Sequence, residues 1–159
     1  MQLLRQYHDD ENGIAAIEGA LLFPLLAFMG FGIVDSSLLM MQYHRVSTGI
    51  TSASSYLSKA PNPQSLESHA KQLAISGNFQ SSSKPFIEDL KPNDVSITYH
   101  TIVNPETDGI REYRGGDVVK VVELSTTVQY KGIGFLKTIT SGNLKISVRH
   151  ETRLIGFSA

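Results

Sequence analysis

The sequence predicts an α+β protein: a long N-terminal helix that begins in a membrane, a short second helix, and a C-terminal antiparallel sheet of three or four strands. Three observations carry this. Gly19 to Val34 holds no charged residue. From Leu39 onward the apolar residues recur at helical spacing, and after residue 93 the spacing changes to strict alternation. With residues 1–13 and the membrane helix set aside, roughly 100 residues remain, enough for one small core.

The uncharged run comes first in the chain and constrains most. As a helix its sixteen residues span about 24 Å, slightly less than the roughly 30 Å hydrocarbon core. Glu18 and Asp35 bracket it, so each acid is expected near a border of the bilayer. At the midplane a carboxylate costs roughly 2.5–3.5 kcal/mol on insertion scales. Pro24 lies inside the run, where it removes one backbone hydrogen bond and can kink the helix. Gly19, Gly30 and Gly32 lack a clean Gly-x3-Gly spacing and read as ordinary membrane-helix glycines.

Residues 1–13 are polar and end in Asn12-Gly13, a turn or extended segment open to a protease. The membrane helix is expected over 14–41 and then continues as an amphipathic helix to about 59. Leu39, Tyr43, Val46, Ile50, Ala53 and Leu57 form one stripe, with Gln42, Arg45, Thr48 and Ser52 off it. Pro61 ends the helix. Thr48, Gly49, Thr51 and Ser52 are poor helix formers, so this extension needs tertiary packing.

Residues 60–159 then form the α+β domain. Asn62-Pro63 opens the second helix, Leu66, Ala70, Leu73 and Ala74 mark its face, and Gly77 stops it. Ser81-Ser82-Ser83 reads as linker. Val95, Ile97, Tyr99, Thr101 and Val103 alternate in a first strand, and Asp108-Gly109 and Gly115-Gly116 punctuate a hairpin region. In the strongest β stretch Val118, Val122, Leu124, Val128 and Tyr130 share a face opposite Glu123, Ser125, Thr127 and Gln129. Leu144, Ile146, Val148 and Leu154 alternate with charged residues in the last strand, the pattern of a sheet with one solvated face.

The start of the chain does not fit a secretory signal peptide, which has a basic start, a short apolar region and a small-residue cleavage site after it. Here Asp9, Asp10 and Glu11 precede a long apolar run, and the small residue, Gly13, stands before it. Gly13, four residues and Glu18 at the head of an apolar helix resemble the leader of a type IV prepilin. Glu18, Pro24, Leu25-Leu26 and Gly32-Ile33-Val34-Asp35 resemble more closely the TadE-like minor pilins or pseudopilins of tight-adherence (Flp-type) pili. The chain departs from that pattern at Gly19, where an aromatic is common. Tyr130-x-x-x-Gly134-Phe135-Leu136 extends the similarity into the domain.

This resemblance implies a pilin-like fold and cleavage by a prepilin peptidase between Gly13 and Ile14. It implies that Glu18 pairs with the new amine of Ile14 during assembly, and that Pro24 and Asp35 are features of the membrane helix. It implies as partners the peptidase, other minor and major pilins, an inner-membrane pilus assembly platform and membrane lipid. The place is the inner membrane, crossed once, with the N-terminus cytoplasmic and the domain periplasmic or carried into an extracellular pilus, in adhesion and biofilm formation. The competing readings are a type II secretion pseudopilin, a single-pass anchored extracytoplasmic binding domain, and a membrane-bound hydrolase. The mature N-terminus separates the pilin readings from the last two.

Other chemistry finds little support. The formal net charge of −1 becomes +1 without residues 1–13, because these hold Arg5 against Asp9, Asp10 and Glu11, and no basic cluster is present to track nucleic acid. There is no Cys, hence no disulfide, thiolate metal site or Cys nucleophile. His100 and His150 lie on predicted strands and are candidate neighbours, with Glu112, Asp117 or Glu151 nearby, but they lack metal-ligand spacing. His69 beside Ser-rich stretches has no nucleophile-elbow context. Asp94, Asp108 and Asp117 read as turn residues. The expectation is a structural subunit with no cofactor, no metal and no active site.

Overall fold

One 56-residue helix, α1 (Leu3–Ser58), carries the rest of the chain on its second half. The computed structural model describes residues 3–80, 83–113 and 116–156, with side chains from residue 13 onward. Ser81, Ser82 and Gly115 of the expected linker and hairpin lie outside the described residues. At 1.5 Å per residue α1 is about 84 Å long. The expected turn at Asn12-Gly13 is absent, because the helix runs through both residues. Leu3, Leu4, Gln6 and Glu11 are good helix formers, and one glycine costs only about 1 kcal/mol relative to alanine.

From Gly13 to Ser58 α1 is long and apolar enough to cross a membrane, and such a helix near the N-terminus fits single-pass anchoring. Ile17, Leu21, Leu22, Phe23, Leu25, Leu26, Phe31 and Ile33 are all exposed, so the described residues of the domain leave most of this half uncovered.

The second half of α1 enters the core. Val46, Ile50, Ala53 and Leu57 are buried, as the stripe predicted. Tyr43 is the exception: it is exposed, and Gln42 takes the inward position beside it. The inward line runs Asp35, Leu39, Gln42, Val46, Ile50, Ala53, Leu57, which steps by four and three throughout. Gln42 reads as an outward residue only because it is polar.

A 3-10 turn (Gln64–Leu66) leads into α2 (Glu67–Ser76). Pro63 is buried before it, and no side chain caps either start, so Asn62 is not the expected cap. Ala70, Ala74 and Ile75 of α2 pack on α1. At the crossing the Ala74 carbonyl approaches Gly49 so closely that a Cβ there would overlap it. This accounts for a poor helix former at Gly49. Gly77, left-handed at φ 69°, ends α2 by donating its N–H to the Leu73 carbonyl at 2.8 Å.

The three-stranded antiparallel sheet has the order β1 (Val95–Val103), β4 (Val118–Gln129), β5 (Lys145–Arg153). A separate ribbon pairs β2 (Glu106–Thr107) with β3 (Ile110–Arg111) around Asp108-Gly109, both at positive φ, as their turn role requires. A short helix, α3 (Phe135–Ile139), connects β4 to β5. The longest strand is central, and Val122, Leu124, Thr126, Val128 and Tyr130 point into the core against α1. Val118, assigned to that face from its spacing, is exposed, as is its β1 partner Val103 at the same end of the sheet. Beyond β5 the N–H groups of Ile155 and Gly156 both donate to the Ser58 carbonyl, at 2.7 and 3.0 Å.

Candidate functional site

Of the residues singled out in the sequence, four stay apart and one gathers a site. Gly13, Ile14 and Glu18 lie on exposed helix, with Ile14 and Glu18 one turn apart on the same face. Pro24 is accommodated without a break in α1. Asp35 differs: it is completely buried.

Its surroundings are built by the segment between β4 and β5. Tyr130, the residue after β4, turns inward and places its hydroxyl 2.7 Å from the Asp35 carbonyl oxygen and within hydrogen-bond reach of Oδ1. The chain then turns over the carboxylate. The Ile133 N–H donates to Oδ1 at 3.1 Å and the Leu136 N–H to Oδ2 at 2.7 Å. Leu136 is the second residue of α3, whose own N-cap residue, Gly134, has no side chain. Asp35 thus supplies from α1 the capping carboxylate that α3 lacks, meeting donors that a helix start leaves unpaired. Two turns along α1, the Gln42 amide donates to the Lys131 carbonyl and accepts from the Lys131 N–H at 3.4 Å.

Two further features shape this junction. A Cβ on Gly132 would overlap both Asp35 Oδ1 and the Tyr130 hydroxyl, so only glycine lets the turn close on the carboxylate. Burial, then the hydrogen bond to Asp35, pushes the Tyr130 hydroxyl above the ordinary tyrosine pKa, which keeps it a donor. Phe135 leaves the turn toward the membrane end of α1. Its ring meets Phe28 edge-on at a centroid distance of 4.6 Å and covers Gly32. Gly32, read from sequence as incidental, therefore makes room for an aromatic ring, whereas Gly19 and Gly30 have open space beside them.

The bracketing of the apolar run by two acids hid this difference. Asp35 was expected as a border charge near the bilayer surface, and it is a buried ligand of backbone N–H groups. The signal available in sequence was the spacing Tyr130-x-x-x-Gly134-Phe135-Leu136, whose members all touch or adjoin Asp35.

A second cluster lies on the outer face of the sheet, where His100, Glu123 and Glu151 bring ligand atoms within 4.8 Å of one another. Arg149 already fills the space between the acids. It contacts Glu123 at 2.8 Å and Glu151 at 3.0 Å, while His100 Nε2 lies 3.4 Å from Glu151. A metal ion would have to displace a guanidinium that matches these carboxylates. His150 is not a neighbour of His100, because it pairs with Leu124 on the opposite face. Asp94 and Asp108 serve turns, Asp94 accepting the Lys91 N–H at 2.8 Å.

A family model described as TadE-like protein matches residues 13–53, from Gly13 through the exposed apolar half of α1, past Asp35 and into the packed half. No curated protein and no solved structure matches the chain. Over this segment, about a quarter of the chain, the protein is similar to TadE-like proteins, a family associated with Tad pili.

Proposed function

We propose that the chain is a minor pilin or pseudopilin: a membrane-held, non-enzymatic structural subunit that a prepilin peptidase matures between Gly13 and Ile14. The observation that carries this is the start of the TadE-like match at Gly13, where an exposed and, but for Glu18, apolar stretch of helix begins. Apart from the Phe135 ring at its far end, that helix half is uncovered among the described residues and is dressed to pack in lipid or against like helices. Cutting before it leaves the product anchored.

The continuous helix adds a condition. A peptidase needs backbone access, so the helix must open locally around Gly13. Glycine lowers the cost of that opening by about 1 kcal/mol relative to alanine and permits close approach of catalytic groups. Maturation leaves the Ile14 amine one turn from Glu18, and a staggered neighbouring helix offers the same amine from another subunit. Removing Glu18 from water is costly, and a cationic partner offsets that cost. This pairing would guide the subunit into the inner-membrane platform and the pilus, with the domain on the periplasmic side and a role in adhesion and biofilm formation.

Intact-mass measurement on protein from its native host is the test. The expected chain begins at Ile14, Gly13→Val leaves it at full length, and Glu18→Gln matures but fails to assemble. A chain that keeps Met1 in cells with active prepilin peptidase rejects the processed-pilin reading in favour of an anchored binding domain.

A further inference from the structure

We propose that the turn and helix from Lys131 to Thr140 form a second membrane contact, lying in the headgroup layer beside the point where α1 leaves the bilayer. The inference rests on single-pass anchoring by α1. Its starting point is depth. Phe28 lies two turns before Asp35, about 10 Å further into the apolar run. The Phe135 ring that packs on Phe28 and Gly32 shares that depth, and it brings α3 with it.

The composition of the segment suits that layer. Ile133 and Ile139 are 55% and 59% exposed, so large apolar side chains point away from the domain next to the exposed apolar face of α1. Several of the polar groups that lipid would leave unpaired are satisfied internally. Thr138 and Thr140 donate their hydroxyls back to the carbonyls of Gly134 and Leu136, at 2.8 and 2.7 Å. The N–H groups at the start of the segment are met by Asp35. Charge adds to this: between Glu123 and Glu151 the chain contains no acid, and although Lys131 is paired with Asp89 and Arg149 with Glu123 and Glu151, Lys137 and Lys145 remain. Lys137 stands between Ile133 and Ile139 in sequence and is exposed, placed to meet anionic headgroups while its stem lies on apolar surface. The occupant is therefore a leaflet containing anionic lipid, entered by isoleucine side chains to the acyl boundary about 5–10 Å down.

The chain contains no Trp, so a single introduced Trp reports its own surroundings. Full-length Ile139→Trp, Ile133→Trp, Phe23→Trp and Ile110→Trp are reconstituted separately in phosphatidylcholine–phosphatidylglycerol vesicles whose acyl chains are brominated near the headgroup. Phe23→Trp reports the anchor, and Ile110→Trp, on the β2–β3 ribbon, reports water. Blue-shifted emission that is lost to bromine is expected at residues 139 and 133, as at 23, with neither effect at 110. Trp at 139 and 133 behaving like Trp at 110, while Trp at 23 is quenched, overturns the second contact and leaves the anchor standing. Failure to quench at 23 overturns the anchor and the inference together. Having two positions in the loop keeps the result decisive if one variant does not fold.

Discussion

Glu18 and Asp35 bracket the same apolar run, yet they live in different solvents. Glu18 is exposed on a bare helix, whereas Asp35 has no exposed surface and takes backbone N–H groups from a loop almost a hundred residues later. The same contrast divides α1. Its first half presents apolar side chains to its surroundings, and its second half buries Val46, Ile50, Ala53 and Leu57. The first half therefore depends on an environment the chain does not supply, and the second carries its environment with it. Substitutions should consequently act on assembly or insertion in one half and on folding in the other.

The sharpest test sets the two acids against each other in detergent micelles. Asp35→Ala removes the acceptor of the Ile133 and Leu136 N–H groups and of the Tyr130 hydroxyl together, and should lower domain stability more than any other single change considered. Glu18→Ala should leave denaturant unfolding of the domain unchanged. Equal effects would erase the distinction. A paired leucine deletion follows. Leu57→Ala, in the core, should cost about 2–5 kcal/mol by chemical unfolding. Leu22→Ala, exposed at 55%, should not shift the domain transition.

Glycines sharpen the comparison at smaller scale. Gly132→Ala forces a methyl into the Asp35–Tyr130 contact and should cost about 1–3 kcal/mol. Gly30→Ala, with open space beside it, should be neutral or slightly favourable to the helix. The smallest effect belongs to the exposed tie between Lys131 and Asp89, where the lysine holds the Asp89 carboxyl below its usual range. Because the folded pKa is depressed, the contribution is present above the unfolded value and lost as pH falls through the folded one. Melting temperatures of Asp89→Asn and the parent chain should differ slightly at neutral pH and converge in acid, below the ordinary carboxylate range.

Most of the fold was legible because period and burial agree in this chain. The stripe Val46–Leu57, the stop at Gly77 and the alternation of β4 and β5 all follow from one-sided burial. Legibility fails where a polar residue turns inward to meet a specific partner. Gln42 and Asp35 share the inward face of α1, but their polarity argued for solvent, and the groups that satisfy them come from the Tyr130–Leu136 turn. Tyr43 misled in the opposite sense, being apolar enough to fill the stripe and yet outside it. No local pattern encodes that long-range pairing, although the Tyr130-x-x-x-Gly134-Phe135-Leu136 spacing lies on its far side. The TadE-like resemblance of this segment was readable because it begins at Gly13, where the polar start of the chain meets an apolar run.

The pair of hydrogen bonds from Ile155 and Gly156 to the Ser58 carbonyl has a mechanical consequence when joined to the Asp35 clamp. The domain grips α1 at two stations about 35 Å apart along the axis, one at each end of the packed half. A pull along the helix is then shared between both stations and the core between them, so the attachment is loaded in shear. It does not open like a zipper from one end. A subunit built this way can transmit tension from its anchored helix to its sheet without first unravelling either terminus of the contact.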